Sequence, residues 1–171
     1  MIELQPIKSR QDKRMYLKYI NKFRKGYWSD APDMSIEEIN YALDKKIICC
    51  NVLLNNKCIG MLEATPGHIN ATKTIQIATI YIDKKYRNSG IAKYVYKYLE
   101  AVMPDDVEIA LHIEQRNFDT NIDKFLDCGF THYGITTVKS DDHRQYDEDT
   151  YVLFTKQHHH MLKPINSSKL N

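Results

Sequence analysis

The sequence predicts an α/β (α+β) fold with a mostly antiparallel sheet. Three observations support this fold class. The chain has 171 residues, which is the size of one ordinary domain. Several short apolar segments alternate with a period of two residues, and others between them have helical periodicity. The resulting order is β-α-α-β-β-β-α-β-α-β-β, so we predict a single domain over residues 1–156 and an aperiodic C-terminal tail over residues 157–171.

Two predicted helices begin with a capping box, in which a serine and an acidic residue three positions later satisfy the first free amides of the helix. Ser9 with Asp12 predicts a helix that continues to about Tyr27. Ser35 with Glu38 predicts a second helix, which ends near residue 45. These two helices follow one another before the central strands.

The strands are predicted from alternation and from β-branched residues. They cover Met1–Pro6, Ile47–Leu54, Cys58–Ala64, Thr74–Ile82, Val107–Glu114, Phe130–Val138 and Thr150–Thr155. Asn55-Asn56 predicts a tight turn that joins the second and third strands in a hairpin. Thr65–Thr72 contains Pro66 and Gly67, and we predict a loop there.

Two further helices complete the predicted domain. The first covers Ser89–Val102, and its core-facing stripe consists of Ile91, Val95, Leu99 and Val102. The second covers Asn121–Cys128 and is closed by Gly129.

Composition and charge exclude several classes of protein. Apolar residues make up 43% and charged residues 27%, as in ordinary globular proteins. The formal net charge is only +2, which argues against general nucleic-acid binding. No apolar stretch is long enough to cross a membrane, and the first residues lack a secretion signal, so we expect a cytoplasmic protein.

The four cysteines are predicted to be free, buried thiols in a reducing compartment. Cys49 and Cys50 are adjacent on a predicted strand, so their side chains project to opposite faces and cannot easily ligate one metal ion. No C-x-x-C pair is present. We therefore predict no metal site.

One strand–loop–helix junction has the chemistry of an anion site. Strand Thr74–Ile82 leads through Asp83 into Arg87–Ala92, where the next helix begins. Free amides and the positive end of the helix dipole meet there, Gly90 allows close approach of the backbone, and Arg87 adds a positive charge. Gly90 alone favours an ordinary helix start over an anion site. A P-loop is excluded, and a Rossmann fingerprint lacks its second and third glycines.

The same residues resemble the acyl-CoA motif of the GNAT superfamily of N-acetyltransferases. The motif is a hydrophobic strand and an Asp, here Ile80–Asp83, followed by [RQ]-x-x-G-x-[GA], here Arg87–Ala92. Leu111-His112-Ile113 with Asn117 is similar to the family's next strand and the Asn after it, and Phe125–Phe130 to its Y-x-x-x-G-F ending. The resemblance covers about residues 74–130.

The resemblance implies a GNAT-like sheet with splayed central strands, flanked by helices on both faces, and acetyl-CoA as the acyl donor. Backbone groups of Ile80, Tyr81 and Ile82 would pair with the pantetheine arm, and the Ile82 amide would be the oxyanion donor. The pyrophosphate would bind around Arg87, at the amides of residues 88–93, and Asn117 would contact the cofactor. These amides belong to Asn88, Ser89, Gly90, Ile91, Ala92 and Lys93. An amine acceptor would attack directly, with no covalent acyl-enzyme.

Two positions depart from the family's pattern. Phe125 stands where the family often has a proton-donating Tyr, and Tyr133 is a possible substitute. Gln76 stands at the position of the family's frequent acidic base. An alkyl amine arrives protonated, so a base is needed. The candidates are Glu63, His112 and Glu114, with a water chain as another route; for each residue the alternative is a solvated or structurally paired strand residue.

The acceptor is predicted only as a class, a small-molecule or peptide amine. The segment from Asp141 to Asp149 holds five acidic residues and only Arg144 as a local cation. A solvated loop explains this run most simply, but near the acceptor entrance it would favour an amine with an additional positive charge. We expect a monomer or a homodimer.

Two alternatives to N-acetyl transfer remain open. One is a non-catalytic acyl-CoA-binding or interaction module that has lost the chemistry, which the residues at positions 76 and 125 favour. The other is transfer to oxygen, or transfer of a longer acyl group.

Overall fold

The computed structural model describes residues 1–69, 72–114, 118–138 and 149–156. Its helices are α1 (Arg10–Tyr27), α2 (Ile36–Asp44), α3 (Ile91–Val102) and α4 (Phe118–Asp127), with a 3-10 turn at Lys84–Tyr86. Its strands are β1 (Ile2–Pro6), β2 (Ile48–Leu54), β3 (Lys57–Ile69), β4 (Thr72–Ile82), β5 (Val107–Glu114), β6 (Thr131–Val138) and β7 (Asp149–Lys156). The predicted mixed, mostly antiparallel α/β class is confirmed.

The chain forms two compact units, and the first consists of Met1–Gly67 and Ile77–Met103. Its strand order is β1-β2-β3-β4. Strand β2 pairs antiparallel with β1 on one side and with β3 on the other, as in Leu4↔Val52 and Cys49↔Glu63. The Asn55-Asn56 turn adopts positive φ at both residues, as a tight hairpin requires.

The second unit consists of His68–Gln76 and Pro104–Asn171. It contains the first part of β4, and its strand order is β4-β5-β7-β6. Strand β7 pairs antiparallel with both β5 and β6, as in Leu111↔Phe154 and Thr136↔Tyr151.

Helices α1 and α2 of the first unit begin where the sequence predicts. Ser9 and Ser35 each accept the amide of the acidic residue three positions later, and each acidic side chain accepts the serine amide in return. The helices cover a core of α1, α2, β2 and β3 side chains. Its fully or almost fully buried members are Ile7, Tyr16, Tyr19, Ile20, Ile39, Cys49 and Met61.

The predicted loop Thr65–Thr72 is wrong, because β3 continues to Ile69 and β4 begins at Thr72. The error has a physical cause. Strand β2 pairs with β3 only as far as Ala64, so Pro66 lies beyond this pairing and owes no N–H to β2. Pro66 and Gly67 therefore resemble a loop in the sequence, although β3 continues through them and only its pairing with β2 has ended.

One detail of the predicted core is also wrong. Val102 is 51% exposed because it is the last residue of α3, whereas Tyr96 is buried instead. Residues 108–111 of strand β5 are buried on both faces, since Glu108 and Ala110 are buried together with Ile109 and Leu111. Burial raises the pKa of Glu108 because it disfavours the carboxylate.

Candidate active site

The turn between β4 and α3 places two left-handed residues before a helix start. Asn88 has φ of 60° and Gly90 has φ of 77°, and Gly90 is the N-cap of α3. No side chain caps the helix there, and a Cβ at Gly90 would meet no atom within 4 Å. Because Gly90 is the N-cap, helix α3 begins at Ile91, two residues later than predicted. Its first backbone amides have no acceptor within the helix. Open space at the positive end of a helix suits a phosphate group.

Strand β4 directs the Ile82 amide away from β3. The Asp83 amide donates to the Ile59 carbonyl at 2.9 Å, and the Tyr81 carbonyl oxygen lies 2.1 Å from the place where a Cβ on Gly60 would be. Backbone groups of residues 81 and 83 thus face β3. Because successive residues of an antiparallel strand present these groups to opposite sides, the N–H of Ile82 points to the other edge of β4.

The Arg87 side chain returns from the turn to the end of β4. Its Nε donates to the Ile82 carbonyl at 2.8 Å, and its guanidinium carbon lies 5.1 Å from the centre of the Tyr81 ring. A guanidinium over an aromatic face is an attractive arrangement. Arg87 is thus held against the end of β4.

Helix α1 packs against the end of β4 through Tyr19 and Lys22. The Tyr19 ring lies 6.1 Å from the Tyr81 ring, and its hydroxyl donates to the Cys58 carbonyl at 2.9 Å. Burial raises the pKa of Tyr19 to about 12, so it stays a neutral donor at physiological pH. Lys22 adds a 3.5 Å ion pair to Asp83, but both partners are partly exposed and the pair contributes little to stability.

Glu63 is the base candidate whose side chain the structure describes. It lies on β3, partly buried, and its Oε2 accepts a hydrogen bond from the Tyr16 hydroxyl at 2.9 Å. Burial raises the pKa of Tyr16 well above its usual range, so the phenol remains protonated. Cys49, opposite Glu63 on β2, is buried, and desolvation raises its pKa to about 11.

The other predicted site residues are placed less fully. His112 and Glu114 lie on β5, paired with Leu153 and Tyr151 of β7, and their side chains are outside the described residues. Asn117 and residues 141–148 of the acidic segment also lie outside, as does the Tyr133 side chain. Phe125 packs edge-to-face against Phe130, with ring centroids 6.3 Å apart.

Sequence reasoning missed Gly60 and Tyr16. Gly60 is required because Tyr81 approaches too closely for any side chain, and an isolated glycine within a strand is a recognised signal of such approach. Tyr16 lies on α1 and is completely buried. Its pairing with Glu63, 47 positions away, has no local signal.

Comparison with known proteins identifies the family. Residues 13–130 match the acetyltransferase (GNAT) family, so the chain belongs to that family. A search of curated proteins finds no match.

Solved structures share this fold at low sequence identity. The ribosomal-protein-alanine N-acetyltransferase of Brucella melitensis is 12% identical with a TM-score of 0.65, covering 92% of this chain and 99% of that one. The spermidine N-acetyltransferase of Vibrio cholerae, solved with CoA and spermine, is 20% identical with a TM-score of 0.63, covering 90% and 94%. An N-acetyltransferase of Staphylococcus aureus Mu50 is 14% identical with a TM-score of 0.62, covering 92% and 98%. These similarities are to the fold.

The described ranges contain neither a metal-binding cluster nor a membrane-spanning helix. Within residues 1–69, 72–114, 118–138 and 149–156, no group of His, Cys, Asp and Glu side chains is arranged to hold a metal ion. No helix in the described part of the chain is long and apolar enough to cross a membrane.

Proposed function

We propose that this chain is an N-acetyltransferase that moves an acetyl group from acetyl-CoA directly to a primary amine. The observation that carries the proposal is the direction of the Ile82 amide, which leaves β4 on the side away from β3, a few residues before the open helix start at Gly90. Family membership makes acyl transfer the reaction class.

The chain's backbone supplies the acyl-donor site in this proposal. Ile80 and Ile82 present backbone groups at the same edge of β4, where they pair with the pantetheine arm beside Tyr81, and the turn amides of residues 88–93 hold the diphosphate together with Arg87. Asn117 remains a proposed contact. Acetyl-CoA supplies an activated thioester, and its thiol, with a pKa near 8.5, is a fair leaving group.

Two elements of the chemistry are assigned to the chain's own groups. The Ile82 amide donates to the thioester carbonyl oxygen as negative charge develops there. Glu63 is the proposed base, since Tyr16 holds one carboxylate oxygen and thereby fixes the side chain's orientation. His112 and Glu114 remain alternatives on β5.

The proposed acceptor is a small or peptide amine that carries a positive charge beyond the reacting nitrogen. Two considerations support this choice: the acidic segment ending at Asp149, and the spermine bound in the Vibrio cholerae structure of similar fold. We further propose a cytoplasmic location, since Cys49, Cys50 and Cys58 are free thiols. A monomer or homodimer completes the proposal.

The test measures release of the CoA thiol from acetyl-CoA with spermidine, a peptide amine, butylamine and no amine, and identifies products by mass spectrometry. We expect amine-dependent release and an acetylated amine, with spermidine faster than butylamine at low salt. Tight acetyl-CoA binding without transfer to any amine would instead favour the non-catalytic binding module, which the residues at positions 76 and 125 leave as the second candidate.

A further inference from the structure

We propose that Arg87 is a positioning residue that fixes the direction in which the Ile82 amide donates. This role rests on the proposed transferase function, because it concerns the amide assigned to the oxyanion. It differs from a role as a ligand of the diphosphate.

The peptide group that follows Ile82 is held at both of its polar atoms. Its carbonyl oxygen accepts from Arg87 Nε at 2.8 Å, and its amide, which belongs to Asp83, donates to the Ile59 carbonyl at 2.9 Å. The two bonds leave in opposite directions, one to the turn and one to β3. Rotation of this peptide plane would break at least one of them.

The peptide group that precedes Ile82 is constrained as well. Its carbonyl oxygen, from Tyr81, lies where Gly60 has no side chain, so it has little room to move toward β3. The Tyr81 ring is contacted by the guanidinium of Arg87 and by the ring of Tyr19. The φ and ψ torsions of Ile82 lie between the peptide group before it and the peptide group after it. Arg87 contacts the residue before Ile82 through the Tyr81 ring and the peptide group after Ile82 through its carbonyl oxygen, so it restricts both torsions.

The contacts require the shape of arginine rather than its charge alone. The planar guanidinium can donate through Nε in its plane while its central carbon lies over the Tyr81 ring. A lysine ammonium is a compact charge on a flexible stem and cannot reproduce both contacts. Lysine does remain a good ligand for phosphate. Arg87→Lys therefore separates positioning from phosphate binding.

The donor substrate provides a second separation. Acetylpantetheine carries the thioester and the pantetheine arm but has no diphosphate and no nucleotide. A phosphate ligand contributes nothing to its use, whereas an arginine that positions the Ile82 amide affects both donors alike.

The experiment compares kcat and KM of wild type, Arg87→Lys and Lys84→Met with acetyl-CoA and with acetylpantetheine. Lys84→Met is the matched control, because it removes a charge from the same turn outside the proposed site. We expect Arg87→Lys to lower kcat roughly 10- to 100-fold with both donors, the scale of a weakened oxyanion donor, with KM little changed. Wild-type kcat in Arg87→Lys, or a loss confined to the KM of acetyl-CoA, would overturn the proposal.

A readout without turnover keeps this inference distinct from the transferase function. Hydrogen exchange of the Asp83 amide, followed by NMR in the unliganded protein, should accelerate about ten-fold or more in Arg87→Lys, as expected when a charged hydrogen bond is lost, and stay unchanged in Lys84→Met. Equal exchange in all three folded proteins would overturn positioning. Faster exchange in Arg87→Lys, together with a wild type that transfers acetyl groups to no amine, would refute the transferase function. It would still support the role of Arg87 in fixing the peptide groups around Ile82.

Discussion

The hydroxyl of Tyr16 on α1 donates a 2.9 Å hydrogen bond to Oε2 of Glu63 on β3. Tyr16 is completely buried, and burial keeps its phenol protonated by raising its pKa. The carboxylate thus has a fixed neutral donor on one oxygen. This geometry suits a base that must be oriented, and it equally suits a structural pair, so the two roles need a kinetic test.

Replacing Glu63 with glutamine should lower kcat/KM about 100-fold or more, because no carboxylate remains to take the amine proton. Tyr16→Phe is the partner variant. It should lower kcat/KM by a smaller factor than Glu63→Gln does, since the carboxylate remains but loses the hydrogen bond that orients it.

Thermal unfolding of both variants is the control for folding. An unchanged kcat/KM in folded Glu63→Gln would assign Glu63 to structure. The same measurement on His112→Gln and Glu114→Gln would then decide between the candidates on β5.

Gly60→Ala should destabilise the protein by about 1–3 kcal/mol, the usual cost of inserting atoms into a packed region. The added Cβ would lie 2.1 Å from the Tyr81 carbonyl oxygen, which is backbone and cannot rotate away. Because the displaced peptide carries the Ile82 amide, kcat should fall together with stability.

Gly26→Ala is the matched control for this substitution. Gly26 lies in the last turn of α1, and a Cβ there meets no atom within 4 Å. Alanine should stabilise this helix by about 0.5–1 kcal/mol. Denaturant unfolding of both variants checks the pair, and a neutral Gly60→Ala would contradict the close approach of β4.

The buried thiol of Cys50 predicts a loss of stability at alkaline pH. Burial raises its pKa to about 11, so the native state holds a proton that the unfolded chain releases above its ordinary value near 8.5. The unfolded state therefore binds fewer protons between these pH values, and stability falls as pH rises through them. Below pH 8 the contribution is fully present.

Cys50→Ala is the comparison for this prediction. Unfolding free energies between pH 8 and 11 should decline less steeply in the variant than in wild type, because one titrating thiol is gone. Parallel curves would show that Cys50 keeps its ordinary pKa in the folded protein.

Phe125→Leu should reduce stability but retain turnover, because the ring packs edge-to-face on Phe130 and has no proton to donate. Removing such packing typically lowers the free energy of unfolding by about 1–3 kcal/mol. Phe125→Tyr should leave the fold intact and raise kcat if a phenol there protonates the departing thiolate. A collapse of kcat in folded Phe125→Leu, with acetyl-CoA binding retained, would mean that the ring itself positions a reactant.

Local patterns predicted the parts of the fold that depend on neighbouring residues. The capping boxes at Ser9 and Ser35 were confirmed because each closes within one helical turn. The segment around Pro66 was wrong because strand extent there depends on where β2 ends, which is a property of pairing.

The candidate site divides in the same way. The helix start at Gly90 is local and could be predicted from its motif. The contacts of Tyr16 with Glu63, and of Gly60 with Tyr81, join residues from different elements, and only the folded chain brings them together.

Calorimetric titration of acetyl-CoA into wild type, Gly90→Val and Gly26→Val tests the central claim most directly. Gly90 has φ of 77° and faces open space, so valine strains the turn and places side-chain atoms where the backbone is proposed to meet phosphate. Gly26→Val makes the same change on α1, away from the site. The account predicts binding by wild type and Gly26→Val and affinity at least about ten-fold weaker for folded Gly90→Val, a cost of roughly 1.4 kcal/mol or more. Equal affinities in the three folded proteins, or no binding by wild type, would contradict it.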